Sequence, residues 1–139
     1  MDENCIFCKL ASGEIPTATI YEDEDCRVIF DANPASKGHA ILLPKTHAAN
    51  LFELPDETAA RCFVAAKKVA AALMEATGAD GINLLQNNGT AAGQTVFHVH
   101  IHLIPRWKND HMGITWKQGK ADPAVLEELT AKVQEILAR

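Results

Sequence analysis

Residues 98–102 read His-Val-His-Ile-His, so three of the chain's six histidines recur at strict period two. Alternate side chains of a β-strand share a face, which predicts His98, His100 and His102 projecting together while Val99, Ile101 and Leu103 enter a core. A rise of about 3.3 Å per residue spaces such rings roughly 7 Å apart. Burying three imidazoles side by side for structure alone demands three sets of hydrogen-bond partners. The row suits either a nucleophile with its helpers or a metal site. His-x-His on a strand presents two nitrogens to one zinc ion, but catalytic zinc also needs a base and an open coordination position. No acidic residue lies within the ten positions before His98.

The segment that feeds this strand favours a phosphate. Asn87-Asn88-Gly89-Thr90-Ala91-Ala92-Gly93-Gln94-Thr95 combines glycines, which allow close backbone approach, with side chains able to donate to oxyanions. Backbone amides in such a turn form a small anion site.

The elements that must carry these residues follow from pattern and punctuation. Residues 4–14 form a compact hook. Thr17 to Glu22 and Asp25 to Asp31 are β-like runs around an acidic turn at Asp23-Glu24. Asn33 to Gly38 is a turn cluster, and His39 to Leu43 a buried-type strand stopped by Pro44. Pro55-Asp56 opens a helix, with Asp56 as N-cap, Gly78 as stop, and Phe63, Val69, Ala70, Leu73 and Met74 as its core stripe. Gly81 to Gln86 and Val96 to Ile104 supply two further strands. Asp122-Pro123 starts a last helix whose apolar face is Val125, Leu126, Leu129, Val133, Ile136 and Leu137. The order predicts an α+β domain: a mostly antiparallel sheet with helices packed on it.

Composition sets the class. At 139 residues and 47% hydrophobic content the chain can build one cored domain over 1–139, with no repeat or Ser/Gly-rich linker to divide it. A net charge of -5 argues against nucleic-acid or anionic-membrane partners, which call for basic patches. No apolar stretch approaches the roughly 20 residues of a membrane span, and the acidic Met1-Asp2-Glu3-Asn4 start is unlike a signal peptide. The expected location is the cytoplasm. There Cys26 and Cys62 read as small buried hydrophobes. Cys5-Ile6-Phe7-Cys8 has the two-residue gap that lets both thiolates reach one tetrahedral metal.

Asn87-x-Gly89 followed by Gly93-Gln94-Thr95-Val96-Phe97-His98-Val99-His100-Ile101-His102-Leu103-Ile104-Pro105 resembles the histidine-triad (HIT) family. The Cys-Ile-Phe-Cys-Lys opening, Gly38-His39-Ala40-Ile41-Leu42-Leu43-Pro44-Lys45 and Phe30-Asp31 match too, so the likeness spans about residues 4–107. It implies a five-stranded, mostly antiparallel sheet with one long helix and a C-terminal helix. The branch resembled is that of small nucleotide-binding hydrolases. A sister transferase branch carries glutamine at the third triad position, where this chain has His102.

The resemblance also implies chemistry. His100 would attack the α-phosphorus of a nucleoside phosphoramidate or dinucleoside polyphosphate, its other nitrogen donating to a main-chain carbonyl. His102, Asn87, Gln94 and Thr95, with the Gly93 turn, would hold phosphate oxygens. A protonated His102 or His39 would assist the leaving group. Asp31 maps onto the family's ribose contact, with Phe7, Ile29, Ala32 and Ile41 as candidates for a purine pocket. Related bacterial-type hydrolases place zinc on the equivalents of Cys5, Cys8, His47 and His98, a structural set that leaves the reaction without a catalytic cofactor. A homodimer follows, the long helix and a central strand pairing across a two-fold axis. The segment Arg106 to Ala121, with Trp107, His111 and Trp116, departs from the short ending of the eukaryotic-type members. Two rivals remain at this stage: a zinc hydrolase using all three histidines, and a nucleotide-binding regulatory module with incidental turnover.

Overall fold

The computed structural model describes residues 2–139. Five strands form one sheet in the order β1-β2-β3-β5-β4. They are β1 (Thr19–Glu22), β2 (Cys26–Phe30), β3 (Ala40–Pro44), β4 (Gly81–Leu85) and β5 (Ile101–Arg106). Every neighbouring pair is antiparallel, with Val28 opposite Leu42, Ala40 opposite Leu103 and Leu85 opposite His102. The helices are α1 (Ile6–Ser12), α2 (Asp56–Thr77) and α3 (Pro123–Leu137). The α+β class and the mostly antiparallel sheet expected from sequence are both present.

Both faces of the central strands are covered, which is why β3 reads as an unbroken apolar run and is buried along its whole length. On one face α2 lays Cys62, Ala66, Val69 and Leu73 against Val28, Leu42, Ile101 and Leu103. On the other, α1 sets Ala11 and the partly buried Phe7 and Leu10 against Ile29, Ile41 and Leu43. Cys26 and Cys62 are buried free thiols, as expected. The turn before β3 is pinned at Gly38, where φ is 85° and an added Cβ would stand 2.9 Å from the Thr77 methyl.

Four expectations change. The histidine strand begins at Ile101, so His98 and His100 precede the paired segment: β3 runs out of partners at Leu42, and Val99 donates instead to the Ala48 carbonyl (2.8 Å). Asp56 is the first residue of α2, and Pro55 holds the cap position without a side-chain bond. Phe63 is 46% exposed and stands outside the core that Val69, Ala70 and Leu73 enter. The last helix does form, with Asp122 Oδ1 accepting from the Ala124 N–H at 3.0 Å, but it packs on nothing. No residue of α3 is buried.

Leu103 is fully buried between the two layers. Leu103→Ala is expected to lower unfolding free energy in urea by about 3 kcal/mol, whereas Phe52→Ala, at an 82% exposed site, should stay within about 0.5 kcal/mol. Equal midpoint shifts for the two would contradict this core.

Candidate active site and metal cluster

The three histidines are not equivalent. His98 is fully buried, and its Nε2–H donates to the Pro44 carbonyl at 2.8 Å. With that proton fixed, Nδ1 of the neutral ring keeps its lone pair. Nδ1 stands 3.5 Å from Cys5 Sγ, 3.4 Å from Cys8 Sγ and 3.2 Å from His47 Nδ1, and Cys8 Sγ lies 3.2 Å from His47 Nδ1. The ligand atoms of these four residues all lie within 4.8 Å of one another.

That donor set fits zinc. Bonds of about 2.3 Å to sulfur and 2.0–2.1 Å to nitrogen in a tetrahedron put sulfur and nitrogen roughly 3.6 Å apart and two nitrogens roughly 3.3 Å apart. The observed edges are close to these lengths. Donation from the Cys8 N–H to Cys5 Sγ (3.3 Å) and from His98 Nε2–H to Pro44 orients two of the ligands from behind. Burial raises the Cys8 thiol above its ordinary range, which disfavours a bare thiolate here.

His100 is held differently, by the backbone of His98. Its Nδ1–H donates to the His98 carbonyl at 2.7 Å, which leaves the lone pair on Nε2. Every buried side-chain nitrogen and oxygen among the described residues has a partner, and Nε2 of His100 has none, so that nitrogen opens to the cavity beside it. Burial lowers the affinity of His100 for protons. Phe7 from α1 meets the ring edge-on, with centroids 4.9 Å apart at 90°.

A further chain of bonds fixes His39 and His102. The Ala35 N–H donates to His39 Nδ1 (2.9 Å), so the proton of the neutral ring lies on Nε2. Nε2 then donates to His102 Nδ1 at 2.9 Å, and His102 carries its own proton on its remaining nitrogen. The Asp31 carboxylate lies 3.6 Å from His39 Nε2. Asp31, His39 and His102 also cluster within metal-binding distance. A metal on His39 would have to expel the Nε2 proton while Nδ1 still accepts a backbone N–H, so this cluster suits proton donation better than ligation. The His100 and His102 rings are 4.9 Å apart, closer than the strand spacing implied.

His100, His102 and Asp31 face a cavity of about 480 Å³, whereas His39 lines an adjoining depression and reaches this cavity only through His102. Of the residues proposed from sequence to bind nucleotide, Phe7, Ile29, Asp31, Ala32, Ile41, Gly93, Thr95, His100 and His102 line it. Asn87 and Gln94 do not. Gln94 is buried, its oxygen accepting from the Gly89 N–H (2.8 Å) and its amide donating to the Ala49 (2.6 Å) and Val96 (3.1 Å) carbonyls. It staples the loop to the segment that carries His47. Asn87 lies behind Gly93, whose φ of 96° needs glycine. Leu10 and Val96 also line the cavity. Leu10 follows Phe7 at helical spacing on α1, the helix that the compact hook of residues 4–14 contains.

A family model for the HIT domain matches residues 12–109. The chain belongs to the HIT family. Within it, the histidine-triad nucleotide-binding branch is the one its relatives occupy. The chain is 43% identical over 139 residues to Protein hit of Bacillus subtilis, covering 98% of this chain and 96% of that one. It is 39% identical to adenosine 5'-monophosphoramidase hnt1 of Schizosaccharomyces pombe, covering 94% and 99%. Among solved structures, a Streptococcus mutans protein superposes with a TM-score of 0.93 at 41% identity, over 99% of this chain and 87% of that one. A Zn-bound histidine triad family protein from Mycobacterium smegmatis does so with a TM-score of 0.75 at 36% identity, over 93% and 97%. Among the described residues, no helix of this HIT protein is long and apolar enough to cross a membrane.

Burial, with the His100 and His39 rings adding to it, pushes His102 down to about 4 against Asp31, far below the ordinary value of 6.5. As pH falls from 6.5 toward about 4 the unfolded chain takes up a proton that the folded chain refuses, so stability present above pH 6.5 is lost. His102→Gln should flatten unfolding free energy against pH over that window by roughly 1–2 kcal/mol, after discounting for partial solvent exposure. Parallel curves for the two proteins would refute the assignment.

Proposed function

We propose that this protein hydrolyses nucleotides at the α-phosphorus, acting on nucleoside phosphoramidates or dinucleoside polyphosphates through a covalent nucleotidyl-histidine and releasing a nucleoside monophosphate. The observation that carries this reading is the bare, cavity-facing Nε2 of His100, held by the His98 carbonyl. The monophosphoramidase name of the fission-yeast relative supports the substrate class.

In this reading the Nε2 lone pair of His100 forms the P–N bond as the bond from phosphorus to the leaving amine or phosphate breaks. Water then attacks phosphorus and gives its proton to the His39–His102 pair that protonated the leaving group, as a P–O bond forms and the P–N bond to His100 breaks. His102 donates to a phosphate oxygen, and the amides around Gly93 with the Thr95 hydroxyl share the developing charge. A bound phosphate's negative charge favours an imidazolium at the His39–His102 pair, which supplies the leaving group's proton. Asp31 accepts from the ribose hydroxyls, and Phe7, Ile29, Ala32 and Ile41 enclose a purine. Gln94 and Asn87 act one step back, holding the loop. A cytoplasmic location and a homodimer belong to the same reading.

Cys5, Cys8, His47 and His98 would hold zinc as a structural clamp on the N-terminal hook. A zinc hydrolase using the whole triad is disfavoured because the three ring systems diverge. His98 Nδ1 turns to the thiols, while His102 Nδ1 accepts from His39.

Two measurements test this. His100→Ala should lower turnover by roughly 10⁴-fold or more. Acid-quenched wild type should carry a nucleotidyl adduct by mass spectrometry that the variant lacks; equal turnover would sink the mechanism. Purified protein should contain one zinc per chain, and chelation should lower its melting temperature while a folded, metal-free fraction still turns over. Abolished chemistry in that fraction would favour the zinc hydrolase.

A further inference from the structure

A single side chain grips the stretch of chain between α1 and β1. Arg27, on β2, is only 16% exposed, and each of its three guanidinium nitrogens is committed. Nε–H donates to the Ala11 carbonyl at 3.1 Å, Nη1–H to Thr19 Oγ1 at 2.9 Å and Nη2–H to Glu22 Oε2 at 2.6 Å. Glu22 pairs in turn with Lys45 Nζ at 2.9 Å. The Ala11 carbonyl needs this donor. It lies in the last turn of α1, where carbonyls lack an amide partner within the helix. Ile15, four residues on, donates to the Lys9 carbonyl instead, at 3.2 Å. A cation there also meets the negative end of the helix. The guanidinium packs against Gly13, where φ is 83° and a Cβ would stand 2.8 Å from Nη2.

These grips flank the proposed base pocket. Leu10 precedes the gripped Ala11, Phe7 lies one turn earlier, and Thr17 falls between Ala11 and Thr19; all three line the histidine cavity. Arg27 itself does not. Side chains alternate along β2, so Arg27, Ile29 and Asp31, just past its end, share the face toward α1, while Cys26 and Val28 enter the core beneath α2. Ile29 packs on Ala11 and lines the cavity. One strand face therefore carries the anchor of α1, a wall of the pocket and the carboxylate assigned to the ribose. A seven-residue helix has little stability of its own, so its position follows from what holds it. Cys5 caps its other end.

We propose that Arg27 is a positioning residue for base recognition. By holding the chain at Ala11 and again at Thr19, it sets how far Phe7 and Leu10 stand from Ile29, and so the width of the slot that takes a flat purine. This rests on the reading that the cavity takes a purine against Phe7 and Ile29, and not on the hydrolytic step. Lysine cannot stand in for the arginine. A single ammonium keeps the charge but lacks the planar fork that spans three acceptors lying in different parts of the chain.

The test compares two ligands on the full chain by titration calorimetry: a purine nucleoside 5'-monophosphate, and ribose 5-phosphate, which keeps sugar and phosphate but lacks the base. Wild type should prefer the nucleotide. Arg27→Lys should weaken nucleotide binding roughly tenfold, the loss of about one buried apolar contact, and leave ribose 5-phosphate within about twofold. Hydrogen exchange should quicken at the Gly13 and Ile15 amides and stay unchanged in α2. Thr19→Val removes one of the three acceptors at an exposed strand position. It should reduce the preference in the same sense by a smaller factor, and it decides the matter should Arg27→Lys fail to fold. Full preference in the folded variants overturns the role of Arg27 and leaves the pocket standing. Equal weakening of both ligands overturns it too, because general loosening would have that effect. A wild type without preference for the nucleotide overturns the purine pocket, and this proposal with it.

Discussion

The peptide unit of His98 is the constraint on which the site depends. Its ring donates through Nε2 to the Pro44 carbonyl and turns Nδ1 to the two thiols and His47. Its own carbonyl accepts the Nδ1–H of His100 and so determines which nitrogen of that ring is bare. One residue thereby sets the tautomer of its neighbour and ties it to the cluster behind. Because His98 is fully buried and carries polar partners on both sides, displacing it would strand several groups in an apolar interior.

The N-terminal hook is tied into the same unit. Phe7 lies between Cys5 and Cys8 on α1 and packs edge-on against both His98 and His100, at centroid distances of 6.2 and 4.9 Å. Ordering the hook through its cysteines therefore also sets one wall of the cavity, because Phe7 and Leu10 line it. A metal held by Cys5, Cys8, His47 and His98 would contribute this geometry and no step of the proposed reaction. Burial of His100 disfavours its protonated form, and a neutral imidazole is the form with a lone pair to give.

What was legible in the sequence was mostly local. The Asp122-Pro123 helix start, the Gly78 stop and the β1 and β2 runs around the Asp23-Glu24 turn are written in residues a few positions apart, and all three are present. The Cys-x-x-Cys spacing anticipated a cluster that the fold then closes with His47 and His98. Period two placed the triad on one strand face, but it could not register where the ladder ends, since that depends on β3 running out at Leu42. Gln94 looked like an oxyanion donor from its type alone. Only the arrival of the Ala49 carbonyl and the Gly89 N–H, from other parts of the chain, turns its amide inward. The apolar stripe of α3 predicted a packed helix, and the stripe is real. Its partner lies beyond anything periodicity can express.

The divergence of three chemically identical rings follows from what each backbone neighbour offers. Acceptors are offered to two of them: the Pro44 carbonyl takes the His98 proton at Nε2, and the His98 carbonyl takes the His100 proton at Nδ1. His102 is instead offered a donor, because the Ala35 N–H has already decided the tautomer of His39. His98 and His100 thus present lone pairs, one to thiols and one to the cavity, while His102 presents a proton. A phosphorus centre surrounded by anionic oxygens needs both an electron pair and a donor within one small site, and adjacent rings with opposite tautomers present the two side by side.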